Sequence, residues 1–377
     1  MKGWVVLSLG ARPFFVLAAL WASLAIAIWP AIWAGAWALP GGLASMDWHA
    51  HELIFGYGGA VVAGFLLTAI PNWTGRKPVA GVRLAMLVLA WMIGRLAAAV
   101  PGNYAALALM FPLGLMGIAG WEILAAGNRR NLKVVAILAA FAAVDGWFVV
   151  AHMQDWDTGT PRRGGIAILV LLILLIGGRV VPAFTRNWLK RNRIAGDIAD
   201  FGRLDVTAMA LDMAGLLGWV WRPDAWQMAP LFALAGGFTL ARLARWRGWS
   251  ARRDWLVGVL HLGYLFAGLG FVAAAAHAVW PDRMPIAGVV HLWAVGAIGM
   301  TTMAMMTRAT LGHTGQALHA DGATRGIYLA LAGALVARLT MVMLPDSAPT
   351  LMIVAAMFWC AGFAGFLVRY GRGLLLG

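Results

Sequence analysis

A chain of 377 residues with 62% hydrophobic and only 12% charged residues lies far from the roughly 25% charge of soluble domains, and its mean hydropathy of +0.80 excludes an ordinary soluble fold. The formal charge of +14 does not imply a nucleic-acid partner, because the bases sit in short segments beside apolar runs, where membrane topology and anionic lipid account for them. The single cysteine, Cys360, excludes an intrachain disulfide, a thiolate zinc site and covalent haem attachment.

Twelve apolar runs follow in chain order, at 13–39, 49–71, 82–100, 102–126, 132–152, 164–183, 204–221, 226–245, 254–279, 286–309, 325–343 and 348–370. Each is near the roughly 20 residues that cross about 30 Å of hydrocarbon. The first run lacks a signal-cleavage pattern and is expected to stay as a helix. Asp47 reads as the N-cap of the second, and only Pro101-Gly102 divides the third from the fourth. No internal repeat stands out. The fold expected is all-α, a polytopic membrane helix bundle of about twelve transmembrane helices forming a single integral-membrane domain over 1–377.

Charge supports the count independently. With the N-terminus in the cytoplasm, 22 of the 29 Lys and Arg residues fall on the cytoplasmic side, from Lys2 and Arg12 through the arginine-rich stretch 242–253 to Arg369 and Arg372. The opposite side holds Arg95, Arg162, Arg163, Arg222 and Arg283. This alternation follows the positive-inside rule. It places both termini in the cytoplasm and the chain in an inner membrane, with lipid as its first partner.

Ionisable residues inside such runs are costly and mark functional positions. Glu52, Glu122, Asp145, Arg179, Asp205, Asp212 and Arg338 qualify. Asp205 and Glu122 lie near helix ends and can reach the interface, and Arg179 is placed to pair with Asp205 or Asp212. Arg338 has Asp346 or Asp145 as candidate partners, or an acidic group of a cofactor.

The histidines point to metal chemistry, since neutral imidazole is the commonest metal ligand. His49 and His51 open the second run, His261 lies in the ninth, His291 in the tenth and His313 just beyond it. His291 and His313 are about 33 Å apart along a helix and cannot share an ion. His49 and His51 point about 200° apart on a regular helix. Two sites are therefore expected, an outer one with His51 and His291 and an inner one with His261 and His313; His49 joins the outer site only if its helix starts irregularly. His152, His277 and His319 read as loop or helix-end residues. Met300, Met303, Met305 and Met306 read first as core filling, although thioethers also suit Cu(I).

Three blocks then carry a family resemblance: Trp48-His49-Ala50-His51-Glu52-Leu53-Ile54-Phe55-Gly56 running on to Ala63 through Gly75, Gly178 through Asn187, and His291 through Gly315. They resemble the NnrS family. The resemblance implies a haem- and copper-containing inner-membrane protein of the nitric oxide response, acting in denitrification or resistance to nitrosative stress, with a distant likeness to haem-copper oxidases. Haem would be b-type and non-covalent, with His51, His291 and Arg338 as candidate haem contacts and His49, His51, His261, His291 and His313 as candidate metal ligands.

The function expected is binding of nitric oxide, or of iron-nitrosyl species, at histidine-ligated metal. The isolated carboxylates do not define a proton path, so turnover is left open. The alternatives are a twelve-helix secondary transporter of a metal or small anion, whose substrate would bind at broken helices near the midplane, and a protein that delivers or senses haem or copper.

Overall fold

The computed structural model describes residues 5–39, 43–100 and 103–377, with backbone alone at 103 and 104. Lys2 and the Pro101-Gly102 break lie outside the described residues. Among those described, the chain is helical without strands. Twelve helices follow one another: α1 Ala11–Trp33, α2 Ser45–Thr74, α3 Val82–Ala97, α4 Ala105–Ala125, α5 Arg129–Met153, α6 Gly159–Arg191, α7 Arg203–Trp221, α8 Ala229–Ala244, α9 Trp255–Val279, α10 Ile286–His313, α11 Gly322–Met343 and α12 Pro345–Leu376. Ten are long and apolar enough to cross a membrane. The other two, α3 and α8, have 16 residues each.

The ends of these helices are set by local chemistry. Asp254 caps α9 by accepting from the Leu256 and Val257 N–H groups, and Asp321 caps α11 by accepting from Thr324 N–H. Both meet donors that would otherwise be orphaned in the first turn. α2 stops at Gly75, whose φ of +70° is a left-handed cap that glycine adopts without a Cβ penalty. The N-cap expectation for Asp47 is corrected. Ala44 is the N-cap, and Asp47 sits inside the first turn, its carboxylate accepting from the Thr158 hydroxyl at 2.7 Å. Two helices also run well past their hydropathic cores. α6 has 33 residues and α12 has 32, because the Arg- and Lys-bearing turns at their ends keep helical hydrogen bonding where hydropathy has already fallen.

The helices group into two compact units. The first contains α1–α5, the start of α6, and residues 309–316 and 363–377; the second contains 169–308 and 317–362. Within the first, Gly94 on α3 lies against the Ala108 backbone of α4, where a Cβ would come within 2.9 Å. Within the second, Gly236 on α8 faces the Gly268 carbonyl of α9, 3.1 Å from where a Cβ would stand. Small residues allow such close backbone approach, the means by which helices associate in lipid. Outward faces are apolar instead of polar: Val82, Met86, Leu89 and Leu96 line the exposed side of α3, which suits hydrocarbon and not water.

Candidate functional site

In the first unit the polar centre is His51. It ends the opening α-helical turns of α2, and its two ring nitrogens meet two carboxylates, Nδ1 facing Glu52 Oε1 at 2.8 Å and Nε2 facing Asp145 Oδ1 on α5 at 3.1 Å. Arg95 on α3 donates to the same Glu52 oxygen at 2.8 Å. All four side chains are nearly sealed from solvent, at 3% exposure or less. A doubly protonated ring satisfies both carboxylates, and the set of His51, Arg95, Glu52 and Asp145 then sums to zero charge. Such compensation is what allows four ionisable groups to sit in an apolar bundle. Glu52 Oε2 and Arg95 Nε have no hydrogen-bond partner among the described residues. Phe55 and Phe148 flank the ring, with centroids 5.4 and 5.3 Å away.

In the second unit the counterpart is His291. Its Nδ1 donates to the Ala287 carbonyl at 2.6 Å, which fixes the tautomer and leaves Nε2 as an acceptor. Arg338 of α11 donates to Nε2 at 2.5 Å. The same guanidinium donates to Met352 Sδ of α12 at 2.8 Å and lies 3.7 Å from Met341 Sδ. Neither carboxylate considered from sequence pairs with Arg338: Asp145 belongs to His51, and the hydrogen bonds of Arg338 go to the imidazole and the two thioethers.

Both histidines stand immediately before a π-helical stretch, Glu52–Gly58 in α2 and Leu292–Gly299 in α10. Such wide turns inside α-helices concentrate at functional sites. The likeness goes further and reveals a short internal repeat with an offset of 240 residues: His51 and His291, Gly56 and Gly296, Gly59 and Gly299, Thr74 and Thr314, Gly75 and Gly315. The paired C-terminal glycines both have positive φ, +70° and +66°. An arginine on the following helix, Arg95 or Arg338, reaches each histidine's surroundings. A Cβ at Gly56 would collide with the Arg95 guanidinium. Matches so sparse and glycine-based do not stand out in a chain with 47 glycines; they become legible once both π-helical stretches are seen to start after a histidine. At the position of Glu52 the second copy has Leu292, so the two histidine environments differ in charge.

A third π-helical stretch, Ile173–Gly177 in α6, faces another buried arginine. Arg242 on α8 donates through Nε to Asp205 at 2.8 Å and through Nη1 to Tyr264 Oη at 2.9 Å and the Leu174 carbonyl at 3.4 Å. Arg245 also donates to Asp205. The pairing expected for Arg179 is therefore corrected: Arg242 and Arg245 take Asp205, Thr239 donates to Asp212 at 2.6 Å, and Arg179 is exposed. Sequence placed Arg242 in a cytoplasmic basic cluster, and nothing in its neighbours distinguished it from the surface arginines around it. Glu122 is held by Arg76 and Arg83 from the α2–α3 connection and the start of α3.

The remaining histidines are divided between the units. His261, in the second, faces Thr185 Oγ1 through Nε2 at 2.9 Å. Thr185 gives its own proton to the Val181 carbonyl, so the imidazole is the donor to Thr185 and Nδ1 keeps its lone pair. His313, in the first unit, ends α10 and is exposed. His49, in the first unit, stacks on Trp29 with centroids 4.0 Å apart. His277 bonds the Met284 carbonyl and Asp224, the helix-end role read from sequence. Among the described residues, no group of three or more His, Cys, Asp or Glu side chains is arranged to hold a metal ion.

Among the described residues, twelve helices, ten of them long and apolar enough to cross a membrane, with buried ion pairs such as Arg95–Glu52 and Arg242–Asp205, define a multi-pass helical membrane protein. The family model described as NnrS protein matches residues 5–376, and the chain belongs to the NnrS family. No curated protein matches it.

Proposed function

We propose that this protein is a haem- and copper-binding protein of the bacterial inner membrane that meets nitric oxide or its iron-nitrosyl products at histidine-ligated metal, with both termini in the cytoplasm. The observation that carries this reading is the family match over 5–376. The orientation rests on the alternation of Lys and Arg between the two sides of the chain.

The local chemistry of the histidines fits metal ligation. A ligating histidine keeps one ring nitrogen for the metal and gives the other to a carbonyl or carboxylate that fixes its orientation. His291 has this form, with Nδ1 on the Ala287 carbonyl and Nε2 presenting its lone pair. His51 has two carboxylate partners and would release one to ligate. His261 keeps a lone pair at Nδ1 beside Thr185 and Trp246. His49 and His313 are the remaining candidates, and Arg338 would answer an acidic group of the haem. A bound haem would supply an iron on which nitric oxide coordinates. The protein's own part is to hold the ligand rings in one tautomer and to keep water away from them.

The deciding experiment is an absorption spectrum and metal analysis of the detergent-purified protein. A Soret band and stoichiometric copper are expected, with a spectral change when nitric oxide is added to the reduced protein. Absence of both haem and copper would overturn this reading and return the buried charges and broken helices to the transporter alternative. Steady-state nitric oxide consumption would separate binding from turnover.

A further inference from the structure

Among the described residues, the hydrogen-bond partners of the Arg338 cation are neutral groups. Its guanidinium donates to His291 Nε2, to Met352 Sδ and, more distantly, to Met341 Sδ. Thioether sulfur is a weak acceptor, and an arginine inside a membrane helix ordinarily pairs with a carboxylate or a carbonyl. Arg95 does so in the first unit, where Glu52 answers it. At the corresponding position in the second unit, glutamate is replaced by Leu292. What surrounds Arg338 is thus a set of three electron-pair donors, one imidazole nitrogen and two thioether sulfurs, contributed by α10, α11 and α12.

We propose that His291, Met341 and Met352 form a Cu(I) site in which the Arg338 guanidinium is the internal occupant, displaced when the metal enters. The proposal rests on the reading of the protein as copper-binding and names the ligands. Three features carry it. The donors are soft and neutral, a combination that selects Cu(I) over hard divalent ions. Their lone pairs converge, since a single guanidinium touches all three, and such a ring of lone pairs attracts a cation and repels an anion. Exchange of guanidinium for Cu(I) replaces one monovalent cation by another, so the apolar surroundings accept no additional charge. Arg338 has a route out. It lies six residues before Leu344, the C-cap of α11, about 9 Å along the helix, and a long arginine side chain can extend its head toward a helix end.

The test is anaerobic titration of the full-length protein with Cu(I) against a chromophoric Cu(I) chelator, with Ag(I) as a redox-inert probe. X-ray absorption at the copper edge then reads sulfur scattering. Met341→Leu and Met352→Leu keep side-chain volume and are expected to weaken Cu(I) binding at least tenfold each; His291→Gln should weaken it further. Arg338→Leu removes the competing cation and is expected to tighten binding at least tenfold. A purely structural role for Arg338 would not produce this gain. Size-exclusion profiles and thermal midpoints of each variant confirm that the fold survives. If both methionine variants bind Cu(I) as the wild type does, or if Arg338→Leu alone abolishes binding, the site as drawn is overturned, even where the purified protein carries copper. Conversely, a wild-type protein isolated without haem or copper fails the functional reading, while added Cu(I) still interrogates these three ligands.

Discussion

Arg95 and Glu52 meet at 2.8 Å with side-chain exposures of 3% and 0%, and the same carboxylate oxygen lies 2.8 Å from His51 Nδ1. Removing one member leaves an uncompensated charge in an apolar interior. Arg95→Ala is expected to lower the unfolding free energy by about 3–5 kcal/mol, and the double variant Arg95→Met/Glu52→Leu to recover much of the loss. Chemical denaturation in detergent reads both; equal stability of wild type and Arg95→Ala would show that the pair carries no such weight.

The same arginine sets the tolerance of α2 to added volume. Gly56→Val would force Cβ into the guanidinium, and overpacking of this kind costs about 1–3 kcal/mol. Gly258→Ala on α9 meets open space and should hold or raise stability, by up to about 1 kcal/mol from helix propensity alone. Thermal midpoints of the two variants, measured side by side, should fall for Gly56→Val and stay level or rise for Gly258→Ala.

Asp157 precedes α6 and accepts from the Gly159 and Thr160 N–H groups. The Gly159 hydrogen bond is the main cause that holds its carboxyl below the ordinary carboxylate range. Because the folded pKa is the lower one, the unfolded chain binds the proton more readily between the two values. The resulting stabilisation is complete above the unfolded pKa and fades as pH falls through the folded one. Asp157→Asn should flatten the acid limb of stability against pH, its loss relative to the wild type being full at neutral pH and vanishing as pH falls through the folded value. An acid limb as steep as the wild type's would assign it to other carboxylates.

For the proposed metal chemistry, His51→Ala and His291→Ala should each lose haem or copper or shift the absorption spectrum, whereas His319→Ala should leave it unchanged. Unaltered spectra in the first two variants would exclude those histidines as ligands.

Orientation is open to a direct assay. In a Cys360→Ser background, Ser250→Cys between α8 and α9 is expected to react with an impermeant maleimide only in inverted vesicles. Gln154→Cys, between α5 and α6, should react from the opposite side. Labelling of both from the same side would discard the topology.

The helix count was legible because hydropathy, loop glycines and basic residues are local signals. Each expected span has its helix, and the deviations are at ends such as 184–191, where charged residues continue a helix that hydropathy had closed. The special position of His51 and His291 was also legible, as polar side chains in otherwise apolar runs. Their partners were not. Asp145 is 94 residues from His51 and Arg338 is 47 from His291, and nothing local in a sequence states which helices will be neighbours. Arg242 illustrates the same limit: it shares a short arginine-rich stretch with exposed residues, and only packing against Asp205, Tyr264 and the α6 π-helical stretch gives it a buried role.

The π-helical stretches also determine which kind of genetic change these helices can bear. A π turn houses one residue more than an α turn. Loss of a single codon between Leu292 and Gly299 would let the coil close into ordinary α-helix, the turns beyond keeping their phase relative to His291, whereas the same loss from the regular turns after Gly299 would swing everything beyond it by about 100°. Most single substitutions in that stretch would leave the phasing intact. In α2 and α10, length is therefore the constrained quantity in the regular turns: a one-residue deletion after Gly299 would turn Thr314 and the end of α10 away from their present neighbours without altering the chemistry of any side chain that remains.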